Sequence, residues 1–373
     1  MKKILYLMHV PWGWIKQRPH FFAEYLVKDF AVDVYYKKPI LVQKKNLLIQ
    51  EKKVSGLTIK GFRQIPFEKI PLIKYLRLDF FNRFLLHVQL PNFDEYDYVW
   101  FTCPSMYMLF GSMLKPRNAI IYDCMDDVLE FSFCKKNVLL KNKMLRAEQE
   151  LMNRSHKVFC SSVYLRDKIL ARANTDREVI VVNNAIELPR AIEFSQLESD
   201  SIIFKDIKNL SNPMLYIGTI SEWFDFGLLL RLLDKYKNIN LVLAGPSNVD
   251  IPVHPQIYYL GTINRESIFP LMSYAWCLIM PFKVNELIRS VNPVKLYEYI
   301  YAGKHVIASK YGETQKFAKY VNLYETEADF FAVIDRLLNM QELPNKQKEE
   351  MKQFAKDNTW GARYQIIKKE LML

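Results

Sequence analysis

Short apolar runs, each followed by a stretch with a helical pattern, recur in both halves of the chain. Runs of this length are too short for an amphipathic helix and are typical of strands buried on both faces. In the first half the predicted strands are Lys3–His9, Ala31–Tyr36, Tyr98–Thr102, Ala119–Asp123, Lys157–Ser161 and Val179–Asn183. In the second half they are Met214–Ile217, Asn240–Gly245, Ile257–Leu260, Cys277–Pro281 and His305–Ser309. This alternation predicts an α/β protein with parallel sheets.

The length of 373 residues is sufficient for two domains of ordinary size. A polar, acidic stretch at about residues 188–212 separates the two series of strands. We therefore predict two Rossmann-like domains, residues 1–190 and 191–355, which face each other across a cleft. In sheets of this kind ligands bind beyond the carboxyl ends of the strands.

Positive charge is concentrated in the first half. The formal net charge is +12, and residues 37–86 hold 12 Lys plus Arg against 3 Asp plus Glu. Within them, Lys69–Val88 would form a helix after Pro71 that is apolar on one side and basic on the other. Such a helix can lie in an anionic membrane interface, or its apolar stripe can belong to the core of the first domain.

The chain has five cysteines and no CxxC pair. This predicts buried, reduced thiols, not a zinc site or a disulfide framework. No apolar run approaches the ~20 residues of a bilayer-spanning helix, and the amino-terminal residues lack the length and cleavage site of a signal peptide. We therefore expect a cytoplasmic location, with peripheral attachment to the inner face of the plasma membrane as a further possibility.

The segment from Asn292 to Ser309 reads as a loop, a short helix, a glycine stop and a buried strand. Asn292 can cap the helix, Pro293 suits its first position, and Gly303 suits the residue after its end. The amino-terminal end of a helix attracts an anion. Lys295 lies in the first turn and Glu298 follows three residues later on the same face. A cation near a phosphate and a carboxylate that accepts from ribose hydroxyls would together hold a nucleotide diphosphate; the alternative is an ordinary amphipathic helix with both side chains in solvent.

The nine residues Val291–Tyr299, with Gly303 and Lys304 after them, resemble the nucleotide-sugar signature of GT-B glycosyltransferases. The resemblance is to enzymes with family 4-like or family 1-like carboxyl domains, among them the bacterial polysaccharide and teichuronic-acid type. It implies that the helix start and the lysine face the diphosphate and that the glutamate binds the ribose. The donor-binding set that it implies is Gly218, Thr219, Arg289, Asn292, Pro293, Lys295, Leu296 and Glu298. It also implies a terminal helix, residues 356–373, that crosses back to the first domain.

The same resemblance assigns roles in the first domain. The loop after the first strand, with its Gln-Arg-Pro-His sequence, would contact the acceptor or a donor phosphate through Trp12, Gly13, Arg18 and His20. The alternative is that Pro19 begins a helix and His20 packs beside Phe21.

The catalytic candidates are Asp126 as the base, Asp127 second, and His20. A carboxylate that removes the acceptor proton would assist glycosyl transfer, and adjacent carboxylates raise each other's pKa. The alternative for the aspartates is helix capping. No metal or other cofactor is expected, because enzymes of this fold generally use the helix dipole and basic residues.

One departure concerns stereochemistry. Retaining family 4 enzymes carry a second glutamate eight residues before the ribose-binding one, and Ser290 stands there, with Glu286 out of register. We therefore expect inversion of configuration at the anomeric carbon.

The predicted function is transfer of a hexose from a nucleotide sugar to a lipid-linked or growing bacterial surface glycan. The nucleotide sugar is expected to be a UDP-sugar. A nucleotide-sugar 2-epimerase of related fold is one alternative. A polyanion- or nucleic-acid-binding protein is another, but the sequence contains no zinc-finger, RNA-recognition or helix-turn-helix signature.

Overall fold

The computed structural model describes residues 1–13, 15–38, 54–64, 85–189, 207–340 and 342–372. The chain divides into two compact units. Unit 1 consists of Met1–Asn183 and Tyr364–Leu373, and unit 2 of Asn184–Arg363. Most of residues 37–86, including the predicted helix Lys69–Val88 up to residue 84, lie outside the described ranges.

Unit 1 contains a seven-stranded sheet in the order β3-β2-β1-β4-β5-β6-β7. Every neighbouring pair is parallel. The strands are β1 (Lys3–Met8), β2 (Ala31–Lys37), β3 (Leu57–Phe62), β4 (Tyr98–Phe101), β5 (Ala119–Cys124), β6 (Lys157–Cys160) and β7 (Ile180–Val181). The helices of unit 1 whose bounds lie within the described residues include α1 (Arg18–Leu26), α2 (Pro104–Phe110), α3 (Ser132–Lys135), α4 (Val138–Arg154) and α5 (Val163–Ala173).

Unit 2 contains a six-stranded parallel sheet in the order β10-β9-β8-β11-β12-β13. The strands are β8 (Pro213–Ile217), β9 (Asn240–Ala244), β10 (Ile257–Tyr259), β11 (Cys277–Met280), β12 (His305–Ser309) and β13 (Asn322–Tyr324). The helices are α6 (Phe226–Lys235), α7 (Ile268–Ser273), α8 (Glu286–Ser290), α9 (Val294–Tyr301), α10 (Glu327–Leu338), α11 (Asn345–Asp357) and α12 (Trp360–Met372), the last of which continues into unit 1.

Both sheets are doubly wound, and their strand order reverses beside β1 and beside β8. Crevices at the carboxyl ends of strands open at such points. The predicted α/β class with parallel sheets is confirmed, and His305–Ser309 has the predicted bounds. Strands β3 and β13 were not predicted.

The carboxyl-terminal segment is two helices, α11 and α12, not one. The break lies at Asn358 and Thr359, where the backbone turns aside to bond with Ile186: the Ile186 N–H donates to the Asn358 carbonyl at 3.0 Å and the Trp360 N–H donates to the Ile186 carbonyl at 3.2 Å. Beyond the break, the Tyr364 hydroxyl donates to Asp29 at 2.6 Å, and Lys368 bonds to the same carboxylate at 2.7 Å.

All five cysteines are buried and free, as predicted. In the ranges that the structure describes, no helix combines the length and the apolar character needed to cross a membrane.

Candidate active site

Three glycines lie at the carboxyl ends of neighbouring strands in unit 2. Gly218 follows β8, Gly245 follows β9 and Gly261 lies two residues after β10. The Gly218 N–H donates to the Ala244 carbonyl at 2.9 Å, and the Gly245 N–H donates to the Gly261 carbonyl at 2.7 Å. A Cβ on Gly245 would stand 2.0 Å from the Gly218 carbonyl oxygen. The three strands therefore end in closely packed backbone, which we call the glycine ledge (Gly218, Gly245 and Gly261).

Helix α9 is fastened to the strand that leads to this ledge. Ile217, the last residue of β8, donates its N–H to the Tyr299 hydroxyl at 2.8 Å. Leu296 and Ile300 are fully buried in the core of unit 2. Burial raises the pKa of Tyr299 far above its ordinary value, so the hydroxyl stays neutral. Tyr299 thus holds α9 beside the end of β8.

Lys295 and Glu298 form an ion pair on α9. The Lys295 ammonium lies 2.7 Å from Glu298 Oε2. The glutamate side chain is 2% exposed, whereas the lysine side chain is 27% exposed. Glu298 Oε1 has no hydrogen-bond partner among the described residues. A nearly buried carboxylate thus retains one oxygen for an incoming donor, and the adjacent ammonium remains open to an anion.

Asn292 does not cap the helix, contrary to the sequence prediction. The helix begins at Val294 with Pro293 as its cap residue, and Pro293 has no side-chain bond to offer. The buried Asn292 amide accepts from the Asn184 N–H at 2.9 Å and donates to Glu313 Oε2 at 2.9 Å. Its side chain therefore braces the loop before α9, and the first turn of the helix is left without a side-chain cap.

The other predicted donor residues differ in exposure. Arg289 is exposed at the end of α8 and lies 4.0 Å from Glu286. Thr219 is half-buried after Gly218, and its carbonyl accepts from the Tyr216 hydroxyl at 2.8 Å.

Two further residues that the sequence analysis discussed flank this site. Ser290, which stands where retaining relatives carry a glutamate, is buried and donates to the Leu287 carbonyl at 2.6 Å. Gly303 has a φ of +66° just after the helix, which confirms its role as the helix stop.

Unit 1 contains a cavity of about 550 Å³ at the carboxyl ends of its strands. Its polar lining includes His9 after β1, Thr102 after β4 and Asp126 after β5. Its apolar walls come from α2, the 131–133 region and α4, through side chains such as Met106, Leu109, Phe131 and Met144. The volume is in the range typical of a small-ligand site.

Asp126 is the carboxylate that faces this cavity. Burial raises the pKa of Asp126 to about 6, and the neighbouring Asp127 and Asp123 add to the rise, whereas Arg18 opposes it. No side-chain partner of Asp126 lies among the described residues. A carboxylate in this state can accept a proton near neutral pH.

Asp127 is committed to a buried ion network, which argues against its predicted catalytic role. Both of its oxygens accept from Arg172 Nη2 at 2.7 Å, and Lys168 Nζ lies 2.9 Å from Oδ2. Arg172 also contacts the buried Glu148 at 3.2 Å. The two adjacent aspartates therefore have different environments, and the network favours a structural role for Asp127.

Arg18 is buried in an ion pair. The acceptor-side assignment would require its side chain to face solvent, and it does not. Its Nε and Nη2 donate to Asp123 at 2.7 to 3.1 Å, and Nη1 donates to the Val182 carbonyl. Both side chains are almost fully buried. The pair joins the start of α1 to β5, a structural role.

His20 completes the start of α1. The Gln17 N–H donates to His20 Nδ1 at 3.1 Å, so Nε2 carries the proton and lies 3.2 Å from the Pro11 carbonyl. Burial lowers the pKa of His20 to about 4. Trp12 packs against the imidazole with ring centroids 5.2 Å apart, and Gly13 has a φ of +85°. Both nitrogens are engaged, so the geometry favours the alternative in which His20 belongs to the helix start.

His9 is a cavity residue that sequence reasoning did not select. Its Nδ1 lies 2.7 Å from Thr102 Oγ1, and burial lowers its pKa to about 4. Gly245 and Tyr299 were missed as well. The position of Gly245 at a strand's end was available in the sequence, but nothing local distinguishes Tyr299 from the other tyrosines of its helix.

No cluster of three or more His, Cys, Asp or Glu side chains suited to a metal ion is found within the described ranges.

Comparison with known proteins gives the fold and a class of enzyme. No protein-family model matches the chain. The chain is 25% identical over 287 residues to TuaH of Bacillus subtilis (strain 168), described as a teichuronic acid biosynthesis glycosyltransferase, covering 73% of this chain and 70% of that one. The structure of Anabaena Alr3699/HepE in complex with UDP and glucose matches with a TM-score of 0.71 at 14% identity, over 100% of both chains. Sucrose-phosphate synthase from Thermosynechococcus elongatus matches with a TM-score of 0.68 at 13% identity, over 99% of this chain and 98% of that one.

These matches confirm the predicted GT-B fold. They also agree with the resemblance to glycosyltransferases of the teichuronic-acid type. None of the three names is that of an epimerase or a nucleic-acid-binding protein.

Proposed function

We propose that this GT-B glycosyltransferase moves a sugar from a UDP-sugar to a lipid-linked glycan of the bacterial cell envelope, at the inner face of the plasma membrane. The observation that carries the proposal is the pair formed by Lys295 and the nearly buried Glu298 on α9, which Tyr299 fastens beside the glycine ledge.

The donor site follows from the charges and geometry of unit 2. The first N–H groups of a helix have no carbonyl partner within it and carry the positive end of the dipole. The first turn of α9 has no side-chain cap, and the Leu296 N–H donates to the Pro293 carbonyl at 3.2 Å, so the Val294 and Lys295 N–H groups are the ones available to a diphosphate. Lys295 adds a full positive charge in the same turn, and glycine backbone at the strand ends lets a phosphate approach closely. Glu298 Oε1 would then accept from the ribose hydroxyls.

The uridine nucleotide is proposed from relatives. The Anabaena structure contains UDP, and a second structure of the same protein contains UDP-glucose. Because identity to that protein is low, its ligand is a guide to the first nucleotide to test. The envelope glycan is proposed from the Bacillus relative, whose name refers to teichuronic acid biosynthesis.

The acceptor is assigned to unit 1. The cavity there combines apolar walls with the Asp126 carboxylate and the buried Tyr122 side chain. An acceptor hydroxyl placed beside Asp126 would lose its proton to the carboxylate as the bond to the sugar forms. We propose inversion at the anomeric carbon, because Asp126 can act as this base and the buried Ser290 cannot supply the carboxylate of retaining relatives. We also propose that no metal is needed, since Lys295 and the helix start can stabilise the leaving diphosphate.

Calorimetric titration with UDP tests the donor site. The parent protein is expected to bind UDP, and Glu298→Ala is expected to weaken binding by about 2–5 kcal/mol, the typical effect of removing one partner of a buried charge pair. Lys295→Ala should weaken it as well. Glu325→Ala, which breaks an exposed ion pair with Lys310 in the same unit, is the matched control and should bind normally.

Unchanged affinity in Glu298→Ala, with a normal unfolding curve, would remove the donor assignment. Transfer itself is measured by incubating UDP-sugars with and without an extract of lipid-linked glycans. Release of UDP that depends on the acceptor supports the proposal, and an altered sugar without any acceptor would indicate an epimerase instead.

A further inference from the structure

Four large apolar side chains of unit 1 are exposed on α2, α3 and the first turn of α4. Met108 on α2 is 42% exposed, and Phe133 on α3 is 53% exposed. Val138 and Leu139, the first two residues of α4, are 70% and 67% exposed. Isolated exposed apolar residues are common, but a cluster of them marks an interaction site.

These side chains are neighbours. Met108, Phe133 and Leu140 all line the 550 Å³ cavity, and Val138 and Leu139 directly precede Leu140. The Phe133 ring stacks on Phe131, which also lines the cavity, with centroids 5.9 Å apart. Met108 and Phe133 therefore line the cavity in which Asp126 lies, and Val138 and Leu139 stand at the start of the helix that contributes Leu140 to it.

The exposed residues Val138 and Leu139 are not part of the hydrophobic core of unit 1. The buried residues of α4 begin at Met144 and continue through Ala147, Glu148, Leu151 and Met152. Its first turn thus presents two branched aliphatic side chains to solvent, where a surface helix normally carries polar residues. Nothing in the described part of unit 1 covers them.

The same segment is strongly basic. Residues 131–146 contain Lys135, Lys136, Lys141, Lys143 and Arg146 and no acidic residue. Lys135 is paired with Glu130 at 2.8 Å. Lys143 and Arg146 line a second cavity of about 420 Å³ together with Met108, Arg154 and one acidic residue, Glu150, so cations outnumber anions there by three to one. Exposed apolar side chains on a segment with an excess of cations are the pattern of a surface that inserts shallowly into an anionic lipid interface.

We propose that this docking face, formed by Met108, Phe133, Val138, Leu139 and the five basic residues of 131–146, binds an anionic lipid bilayer. The inference deepens the proposed function and rests on it in one respect: the bilayer is where a lipid-linked acceptor would reach the cavity. The face differs from residues 37–86, which the sequence suggested for this role. A second copy of this chain is the competing occupant, and charge decides between them, because two equally basic faces repel each other.

Vesicle flotation tests the face. The parent chain is expected to float with phosphatidylglycerol vesicles and to remain below phosphatidylcholine vesicles. The double variant Val138→Ser, Leu139→Ser removes exposed apolar groups only. The double variant Lys136→Gln, Lys143→Gln removes two charges, each worth about 1 kcal/mol near an anionic surface, so binding should fall by roughly 10- to 30-fold.

The matched controls lie in unit 2: Val253→Ser, at a fully exposed valine, and Lys346→Gln, Lys356→Gln on α11. Both should float like the parent chain. UDP affinity and the unfolding midpoint are measured for every variant and should not change, so a loss of flotation cannot be attributed to misfolding or to the donor site.

The proposal is supported if the parent chain floats with anionic vesicles and both face variants fail to do so. Three results overturn it: a parent chain that binds UDP but ignores anionic vesicles, equal flotation of the face variants and the parent, or a dimer in light scattering that the Val138→Ser, Leu139→Ser variant dissociates. Acceptor-dependent transfer without any vesicle binding would keep the proposed function and reject the docking face.

Discussion

The carbonyl oxygen of Gly218 occupies the space that a side chain on Gly245 would need. The ideal Cβ position is 2.0 Å from that oxygen and 2.7 Å from the Gly218 carbonyl carbon. The backbone of Gly245 also has a φ of +135°, which residues with a side chain rarely adopt. Strands β8 and β9 can therefore end side by side in this way only because residue 245 is a glycine.

Gly245→Ala is expected to destabilise unit 2 by about 2–4 kcal/mol, since backbone atoms cannot move aside as a flexible side chain can. The displaced ledge should also weaken UDP binding. Urea unfolding and calorimetry measure the two effects. Gly312→Ala is the control, because its Cβ position has no atom within 4 Å and its φ is not in the left-handed region. A normal midpoint and normal UDP affinity in Gly245→Ala would contradict the close packing of the ledge.

Asp126→Asn is expected to abolish transfer while UDP still binds. Loss of a general base typically reduces the rate by about 100- to 10,000-fold. In the parent enzyme kcat/KM should fall as the pH drops through about 6, because the protonated carboxyl cannot accept a proton. A pH profile of transfer measures this limb, which the variant should lack.

Stability provides the control for Asp126. The folded state holds this proton more tightly than the unfolded chain, so the parent loses stability as the pH rises from about 4 to about 6. The asparagine variant carries no charge and should be at least as stable as the parent at pH 7. Near-normal turnover in the variant would exclude Asp126 as the base.

Asp127→Asn is expected to act on stability instead. The change leaves Arg172 and Lys168 without their shared carboxylate, and breaking a buried ion pair in this way destabilises by about 3–5 kcal/mol. Urea unfolding measures the loss. Asp167→Asn, which breaks an exposed pair with Arg166, should change stability by less than about 1 kcal/mol. Loss of transfer in a fully stable Asp127→Asn protein would instead support the predicted catalytic role of Asp127.

The sequence was most informative where structure depends on local pattern. Buried strands such as Lys3–Met8 and His305–Ser309 are continuous apolar runs, so their positions could be read directly. The glycine stop at Gly303 is equally local, because only the backbone after a helix decides it. Strand β3 was missed because it alternates exposed and half-buried residues within a basic stretch.

Partners distant in the chain could not be predicted. Arg18 and Asp123 are 105 positions apart, and Asp127 and Arg172 are 45 apart, so nothing near either residue reveals the pairing. Asn292 carries good capping chemistry, but the bonds to Asn184 and Glu313 prevail. In each case a residue type suited to a site also has a structural partner in the fold: the capping prediction for Asn292 is wrong for that reason, and the site roles of Arg18 and Asp127 stay predictions.

His20, at the start of α1, allows a structural role to be distinguished from a catalytic one by experiment. The folded protein keeps the imidazole neutral down to pH about 4, whereas the unfolded chain takes up a proton near the ordinary histidine pKa. The unfolded state therefore binds more protons between about pH 6.5 and 4, and stability falls as the pH falls through this window. His20→Gln retains an acceptor for the Gln17 N–H and cannot titrate, so its stability should depend less on pH. His20→Ala removes the bond and should lose about 1 kcal/mol at pH 7.5. Urea midpoints at pH 7.5 and 5 measure both effects, and a stable His20→Gln protein that binds UDP but cannot transfer would show that His20 is catalytic.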